Sequence, residues 1–360
     1  MENINSKLRQ NRKLEHIRQA MDLGNGTENG LVDIHLVHQS LPELSEDEID
    51  ISYRFEGKEL SAPLIINALT GGNREVASIN RVLARLAGRA GIAMAVGSQT
   101  AALEDQRLRD TFAVVREENP HGVIMGNIGG MASPEQAREA VAMIDADALQ
   151  IHLNVPQELA MAEGERDFRG ILDNIAAIQE ALPVPVVVKE VGFGLSREAA
   201  GELQRRGVKW VDISGRGGTN FIAIERGRGA QRFGVELEAW GITTSVSLLE
   251  ALSLPRPIKC IASGGINNSL DIAKCLCLGA EMVGIAGYFL RLLLNQSEKA
   301  LADEIESLLQ GLRAVLLMTG ARNLAELSRK PAVITGKTRE WLEQRGISTN
   351  HYAQRGRSLP

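Results

Sequence analysis

The chain has 360 residues, 44% of them hydrophobic and 4% aromatic, with a formal net charge of −5. That supplies a large core, within the size range of a single α/β barrel. It argues against a basic nucleic-acid surface and a base-stacking reader, and no apolar run approaches the ~20 residues of a membrane span, so neither nucleic acid nor membrane is expected as a partner.

Met1–Arg18 is polar and charged and does not resemble a leader peptide. Within it, Arg12-Lys13-Leu14-Glu15-His16 would put Arg12 and His16 one turn apart on a helix; charge pattern alone makes this a solvated face. Val32–Leu36 and Ile49–Phe55 are expected to pair as a hairpin, which makes residues 1–61 an N-terminal extension.

From Pro63 to Gly287 short apolar runs alternate with amphipathic helical segments. The runs are Pro63–Leu69, Ile92–Val96, Gly122–Gly126, Ala148–Leu153, Val184–Val188, Lys209–Ile213, Ile258–Ala262 and Glu281–Ala286. Continuous apolar runs mark parallel strands buried on both faces. The helices carry their own signals: Ser133-Pro134-Glu135-Gln136 reads as a capping box with Pro at the first turn, and Gly207 and Gly279 close the helices before them. Eight such units predict a (β/α)8 TIM barrel over residues 62–320, an open sheet being the alternative if the strands are over-counted. A long helix, Ser297–Thr319, follows, and 321–360 is expected as a helical tail packing on the barrel. Cys260, Cys275 and Cys277 form no CxxC pair and read as buried free thiols of a reduced, cytoplasmic protein.

In a barrel, chemistry is carried by the loops at the C-terminal ends of the strands. The sixth loop, Ser214-Gly215-Arg216-Gly217-Gly218-Thr219-Asn220, the seventh, Ser263-Gly264-Gly265, and the eighth, Ala286-Gly287, are glycine-rich together. Glycine lets backbone N–H groups close on an anion, and a barrel usually holds phosphate there. Thr70, Ser98 and Asn127 offer uncharged donors and acceptors at the first three strand ends, and Lys189 ends the fifth, as a flavin ring would require. Taken alone, Lys189 also suits a salt bridge with a core carboxylate. On the fourth strand His152 and Asn154 share a side, and Gln157 and Glu158 follow within a few residues. Glu158 is a hard oxygen donor suited to Mg2+, or else an acid at a helix start. The glycine loops alone leave several flavin enzymes open.

Taken together these stretches resemble type 2 isopentenyl-diphosphate isomerase, the FMN-dependent family. They are Arg12-Lys13 with His16, Ile66–Gly72, Ala95–Gln99, Gln150–Asn154 with Gln157-Glu158, Val188–Gly194, Gly217–Phe221, Trp240–Ile242 and Ala262–Gly265, nearly end to end. The resemblance implies that Ala68, Leu69, Thr70, Ser98, Asn127, Lys189, Thr219, Ala286 and Gly287 contact FMN, with Gly264 and Gly265 near its phosphate; Ser214, opening the sixth loop, is grouped with them. It implies that Arg12, Lys13, His16, His152, Asn154 and Gln157 hold a small diphosphate substrate, that Glu158 binds Mg2+, and that NADPH reduces the flavin. Gln157 and His152 would stand beside flavin N5 during proton transfer, and the assembly would be a homo-oligomer, a tetramer or octamer. Leu69 stands where Met is common, and Thr100 where a larger residue is usual.

The residues agree with that chemistry. No acid–base pair of carboxylates stands out at the strand ends, and no GxGxxG follows a strand to build a dinucleotide site. A hydroxy-acid oxidase would need a His near the seventh strand, where Ser263-Gly264-Gly265-Ile266-Asn267 has none. A dehydrogenase acting on inosine monophosphate would need a mouth-loop Cys. A non-catalytic flavin binder would not need the fourth-strand cluster.

Overall fold

A continuous apolar run has no polar face to turn to water, so it must be covered on both sides. The computed structural model, which describes residues 15, 19, 28–69, 71–229 and 232–356, shows how. Three short strands come first: β1 (Ile34–Leu36), β2 (Tyr53–Phe55) and β3 (Lys58–Leu60). Then follow β4 (Leu64–Ile66), β5 (Ala93–Ala95), β6 (Ile124–Gly129), β7 (Ala148–Leu153), β8 (Val186–Glu190), β9 (Trp210–Asp212), β10 (Lys259–Ser263) and β11 (Met282–Ile285). Among the described residues β4–β11 form one closed barrel, each strand parallel to its neighbours, with β11 pairing back on β4. This is the expected (β/α)8 architecture, and the open-sheet alternative falls.

The strand period of two divides the apolar residues into two layers. Ile65, Met125, Val187, Trp210, Ile261 and Met282 point inward and pack with one another. Their neighbours Leu64, Ile66, Ile124, Val186, Val188, Cys260 and Ala262 point outward and join the helices in a separate, larger core. The outer helices begin and end as their sequences specify. Ser133 and Gln136 cap the helix Pro134–Ile144 reciprocally, and Gly207 and Gly279 take φ of 86° and 122° where two other helices stop.

Two expectations need correction. Val32–Leu36 and Ile49–Phe55 do not pair with each other. β1 runs antiparallel to a C-terminal strand, β12 (Ala332–Ile334), with Ile34 opposite Ile334. β2 instead turns through Glu56-Gly57 onto β3, and both turn residues have positive φ, 43° and 98°, the geometry of a tight hairpin. That hairpin belongs to the barrel's inner core: Phe55 and Leu60 pack with its inward-facing residues. The Phe55 and Trp210 rings lie 5.1 Å apart, and Trp210 Nε1 donates to Glu56 at 2.9 Å. The third strand also runs further than the sequence suggested, so that Asn127 and Gly129 lie inside β6 and not in the loop after it. A strand persists while its ladder is satisfied, and here Asn127–Gly129 register against Gln150–His152 of β7.

Described residues after β12 also reach the barrel helices, Arg355 donating to the Cys277 carbonyl at 2.6 Å. Trp341 Nε1 and Arg345 Nε both donate at 2.9 Å to the buried carboxylate of Glu250. All three cysteines are buried and free. Burial pushes the Cys260 thiol up to about 12 and that of Cys277 up to about 11, so neither is a thiolate nucleophile near neutral pH. No helix among the described residues is long and apolar enough to cross a membrane.

Candidate active site

One step above the apolar inner layer, the inward positions of the strands become polar. Asn67 follows β4; Asn127, Gln150, Lys189, Asp212 and Ser263 lie in β6, β7, β8, β9 and β10, and all six are buried. Register brings them together: Gln150 sits beside Asn127, His152 beside Lys189, and Lys189 beside Asp212. Buried polar groups are costly unless paired, and these pair with one another. Asp212 accepts from Asn67 Nδ2 at 2.7 Å, from the Ser214 N–H at 3.2 Å and from Ser263 Oγ, and lies 3.6 Å from Lys189 Nζ. Lys189 also donates to the Glu190 carbonyl at 2.8 Å. The core-carboxylate partner that the sequence left open for Lys189 therefore exists, and it fixes the ammonium at the cavity wall.

Above this layer opens a cavity of about 1110 Å3, just above the usual range of small-molecule sites. Its wall collects the described residues singled out from sequence. Ala68 and Leu69 come from the first loop, Ser98 from the second and Asn127 from β6. His152, Asn154, Gln157 and Glu158 come from β7 and the short helix Val155–Ala160. Lys189, Ser214 and Thr219 follow on β8 and the sixth loop, then Gly264, Gly265, Ala286 and Gly287. Arg12, Lys13, His16 and Thr70 lie outside the described residues.

The glycine loops fit an anion by having no room for side chains. Gly264 and Gly265 have φ of 110° and 74°, and a Cβ on either would overlap the carbonyl oxygen of Gly215 or Gly217 respectively. A Cβ on Gly218 would stand 2.7 Å from the Gly265 nitrogen. Sixth and seventh loops are thus in backbone contact. Beside them the helix Gly287–Asn295 starts at Ala286 with no side-chain cap, so its N-terminal N–H groups are left for an external acceptor. Arg216 also lines the wall, and its Nε is buried with no hydrogen-bond partner.

The fourth-loop cluster is held by a single amide. Asn154 Nδ2 donates to Gln157 Oε1 at 3.1 Å and to Glu158 Oε1 at 2.9 Å. Glu158 Oε2 accepts from the Glu165 N–H at 2.8 Å, and Gln157 Nε2 lies 3.5 Å from the buried Glu225. Among the described residues no three His, Cys, Asp or Glu side chains gather as a metal site; Glu158 would be a lone carboxylate ligand, as Mg2+ tolerates when substrate oxygens complete its shell.

Sequence reading missed Asn67, Gln150, Asp212, Glu190 and Arg216. A signal was present for the first three, since each is a polar residue inside an apolar strand run. Glu190 is buried, and its Oε2 accepts the backbone N–H groups of Val191, Gly192, Phe193 and Gly194 at 2.6–3.2 Å. The chain so occupies its own anion nest and shapes the loop beside Lys189. Burial outweighs those donors and pushes Glu190 up to about 7. A carboxyl raised in the folded state stabilises below its unfolded value and loses that contribution as pH rises toward 7. Denaturation of wild type should therefore lose stability relative to Glu190→Gln between pH ~4.5 and ~7, by about 1.4 kcal/mol per unit at most. Parallel curves for the two proteins would show that Glu190 is ionised throughout.

Residues 130–334 match the model of a family described as FMN-dependent dehydrogenase. The isopentenyl-diphosphate delta-isomerase of Moorella thermoacetica is 54% identical over 334 residues, 93% of this chain and 96% of its own. That of Symbiobacterium thermophilum is 47% identical over 97% of this chain and 99% of its own. Among solved structures, a flavocytochrome b2 variant superposes with a TM-score of 0.66 at 17% identity, over 96% of this chain and 89% of its own. A mandelate oxidase variant with a monooxide FMN adduct gives 0.62 at 15%, over 87% and 94%. At such identities the superpositions speak for the fold alone.

Proposed function

Because the chain belongs to the isopentenyl-diphosphate delta-isomerases, on the scaffold of the FMN-dependent dehydrogenases, we propose that it interconverts isopentenyl and dimethylallyl diphosphate using reduced FMN and Mg2+. The observation that carries this reading is that the glycine cradle and the His152–Glu158 cluster line one and the same cavity. The cradle of the sixth, seventh and eighth loops suits a phosphate monoester. The fourth-loop cluster suits a second, metal-assisted anion. A flavin with a diphosphate substrate needs both.

In this reading Ala68, Leu69, Thr70, Ser98, Asn127, Lys189, Ser214 and Thr219 hold the flavin ring and its side chain, and Gly264, Gly265, Ala286 and Gly287 hold its phosphate. FMN, when bound, supplies a ring that can exchange a proton with the substrate at N5. Lys189, fixed by Asp212, would place positive charge in the cavity wall to balance an anionic reduced flavin. His152, Asn154 and Gln157, with Arg12, Lys13 and His16, hold the substrate, and Gln157 and His152 steady the reacting carbons. Glu158 would hold Mg2+, with substrate oxygens completing its shell. NADPH would supply the reducing equivalents, although the sequence carries no dinucleotide-binding motif. We place the enzyme in the reduced cytoplasm as a homo-oligomer, a tetramer or octamer.

Anaerobic assay of the purified protein with isopentenyl diphosphate, omitting FMN, NADPH and Mg2+ in turn, tests the reading. Each omission should abolish or sharply reduce product, and chemically reduced FMN should replace NADPH. Glu158→Gln should raise the Mg2+ concentration for half-maximal rate at least tenfold with FMN affinity unchanged; an unaltered Mg2+ requirement removes Glu158 from that role. Arg12→Ala with Lys13→Ala should raise KM at least tenfold, with little change in FMN binding. An unchanged KM would place the diphosphate elsewhere.

A further inference from the structure

Five side chains at the barrel mouth form an unbroken row of hydrogen bonds, and the row has a direction. It starts at Asp212, which is fully buried. The Ser214 N–H at 3.2 Å and the Lys189 ammonium at 3.6 Å can only donate to it, so it faces them as a carboxylate that can only accept. Asn67 must therefore meet it with Nδ2, at 2.7 Å. The Ala68 N–H, 2.9 Å from the other end of the same amide, confirms that this end is Oδ1. Gln150 must then give Nε2 to Asn67 Oδ1, at 3.0 Å. That leaves Gln150 Oε1 to accept from Asn127 Nδ2, at 3.2 Å. What remains for His152 Nδ1, 2.8 Å away, is Asn127 Oδ1, an acceptor. Reversing any one amide sets N–H against N–H or oxygen against oxygen. For groups only 0–3% exposed such a clash leaves a polar atom unpaired, at about 1–3 kcal/mol.

We infer that Asp212, acting through Asn67, Gln150 and Asn127, is a positioning residue that holds His152 as the Nδ1–H tautomer. The neutral imidazole then has its lone pair on Nε2, and any further proton is taken up there. Nε2 stands beside Gly129 in the cavity wall; a Cβ on that glycine would be 3.5 Å from it. Nδ1 thus keeps its proton in both charge states of the ring. The same carboxylate fixes Lys189 directly and His152 at the far end of the row, so one buried acid orients two groups of the site. The use of this tautomer toward a diphosphate rests on the function proposed above; the tautomer itself does not.

The test is 15N solid-state NMR of the FMN-loaded protein labelled with [15N]histidine, above the pH at which His152 is protonated, its signals assigned by their absence in His152→Gln. Wild type should show one-bond N–H coupling at Nδ1 and an unprotonated Nε2. Gln150→Met interrupts the row without touching Asp212 or Lys189, and the Nε2–H form should grow from a trace to a major population. Adding Asn127→Asp, whose carboxylate can only accept from Nδ1, should restore the Nδ1–H form. An Nε2–H ground state in wild type, or a population unmoved by Gln150→Met, would overturn the inference. Isomerase activity measured on the same samples reports separately on the functional reading.

Discussion

Replacing Gly265 by alanine will remove most of the flavin affinity and leave the barrel folded. Gly265 has φ of 74°, and a Cβ there would overlap the Gly217 carbonyl. The clash is with backbone of the sixth loop, which no rotamer change relieves. The seventh and sixth loops must separate, and the donors that converge on a phosphate lose their common focus. We expect FMN affinity to fall on the order of 100-fold, about 2.7 kcal/mol, by fluorescence titration. Gly207→Ala is the control. Its φ of 86° carries a similar left-handed penalty, yet a Cβ there meets nothing within 4 Å, so stability should drop slightly and FMN affinity should hold. Equal affinities for the two variants would show that the cradle does not bind the phosphate.

The second large effect is on stability. Asp212→Asn removes the carboxylate but leaves the Lys189 ammonium, 6% exposed, without its ionic partner. Breaking a buried pair from one side costs about 3–5 kcal/mol, because the remaining charge has lost both water and counter-charge. Chemical denaturation should show a loss of that size. Lys189→Met alone leaves a carboxylate still served by Asn67, Ser263 and the Ser214 N–H, so it should cost less. The double variant should cost less than the sum of the two singles. Additive losses would mean that the pair contributes nothing as a pair.

How far the sequence discloses this molecule depends on the range of the interaction. Strands such as β5, within Ile92–Val96, are legible because burial on both faces requires an unbroken apolar run, a local property. The helix caps at Ser133, Gly207 and Gly279 are legible for the same reason. The partner of β1 is not, because it lies about 300 residues away in β12, and nothing in Ile34–Leu36 distinguishes a C-terminal strand from a nearby one. The mouth loops could be read as a set, since the barrel rule says where every strand end must converge. The layer beneath them could not be read as a network. Asn67, Gln150 and Asp212 lie in separate, mainly apolar runs, and only the register of the strands between them reveals that they touch. Period-two alternation would have placed each of them inward, so part of the signal was present.

The most direct measurement is 1H NMR of isopentenyl diphosphate incubated anaerobically with the protein, Mg2+ and chemically reduced FMN, without NADPH. Dimethylallyl diphosphate should accumulate to an equilibrium mixture, approached equally from either compound, while reduced FMN is not consumed. No conversion under these conditions, or conversion matched by stoichiometric loss of reduced FMN, would contradict the proposed reaction.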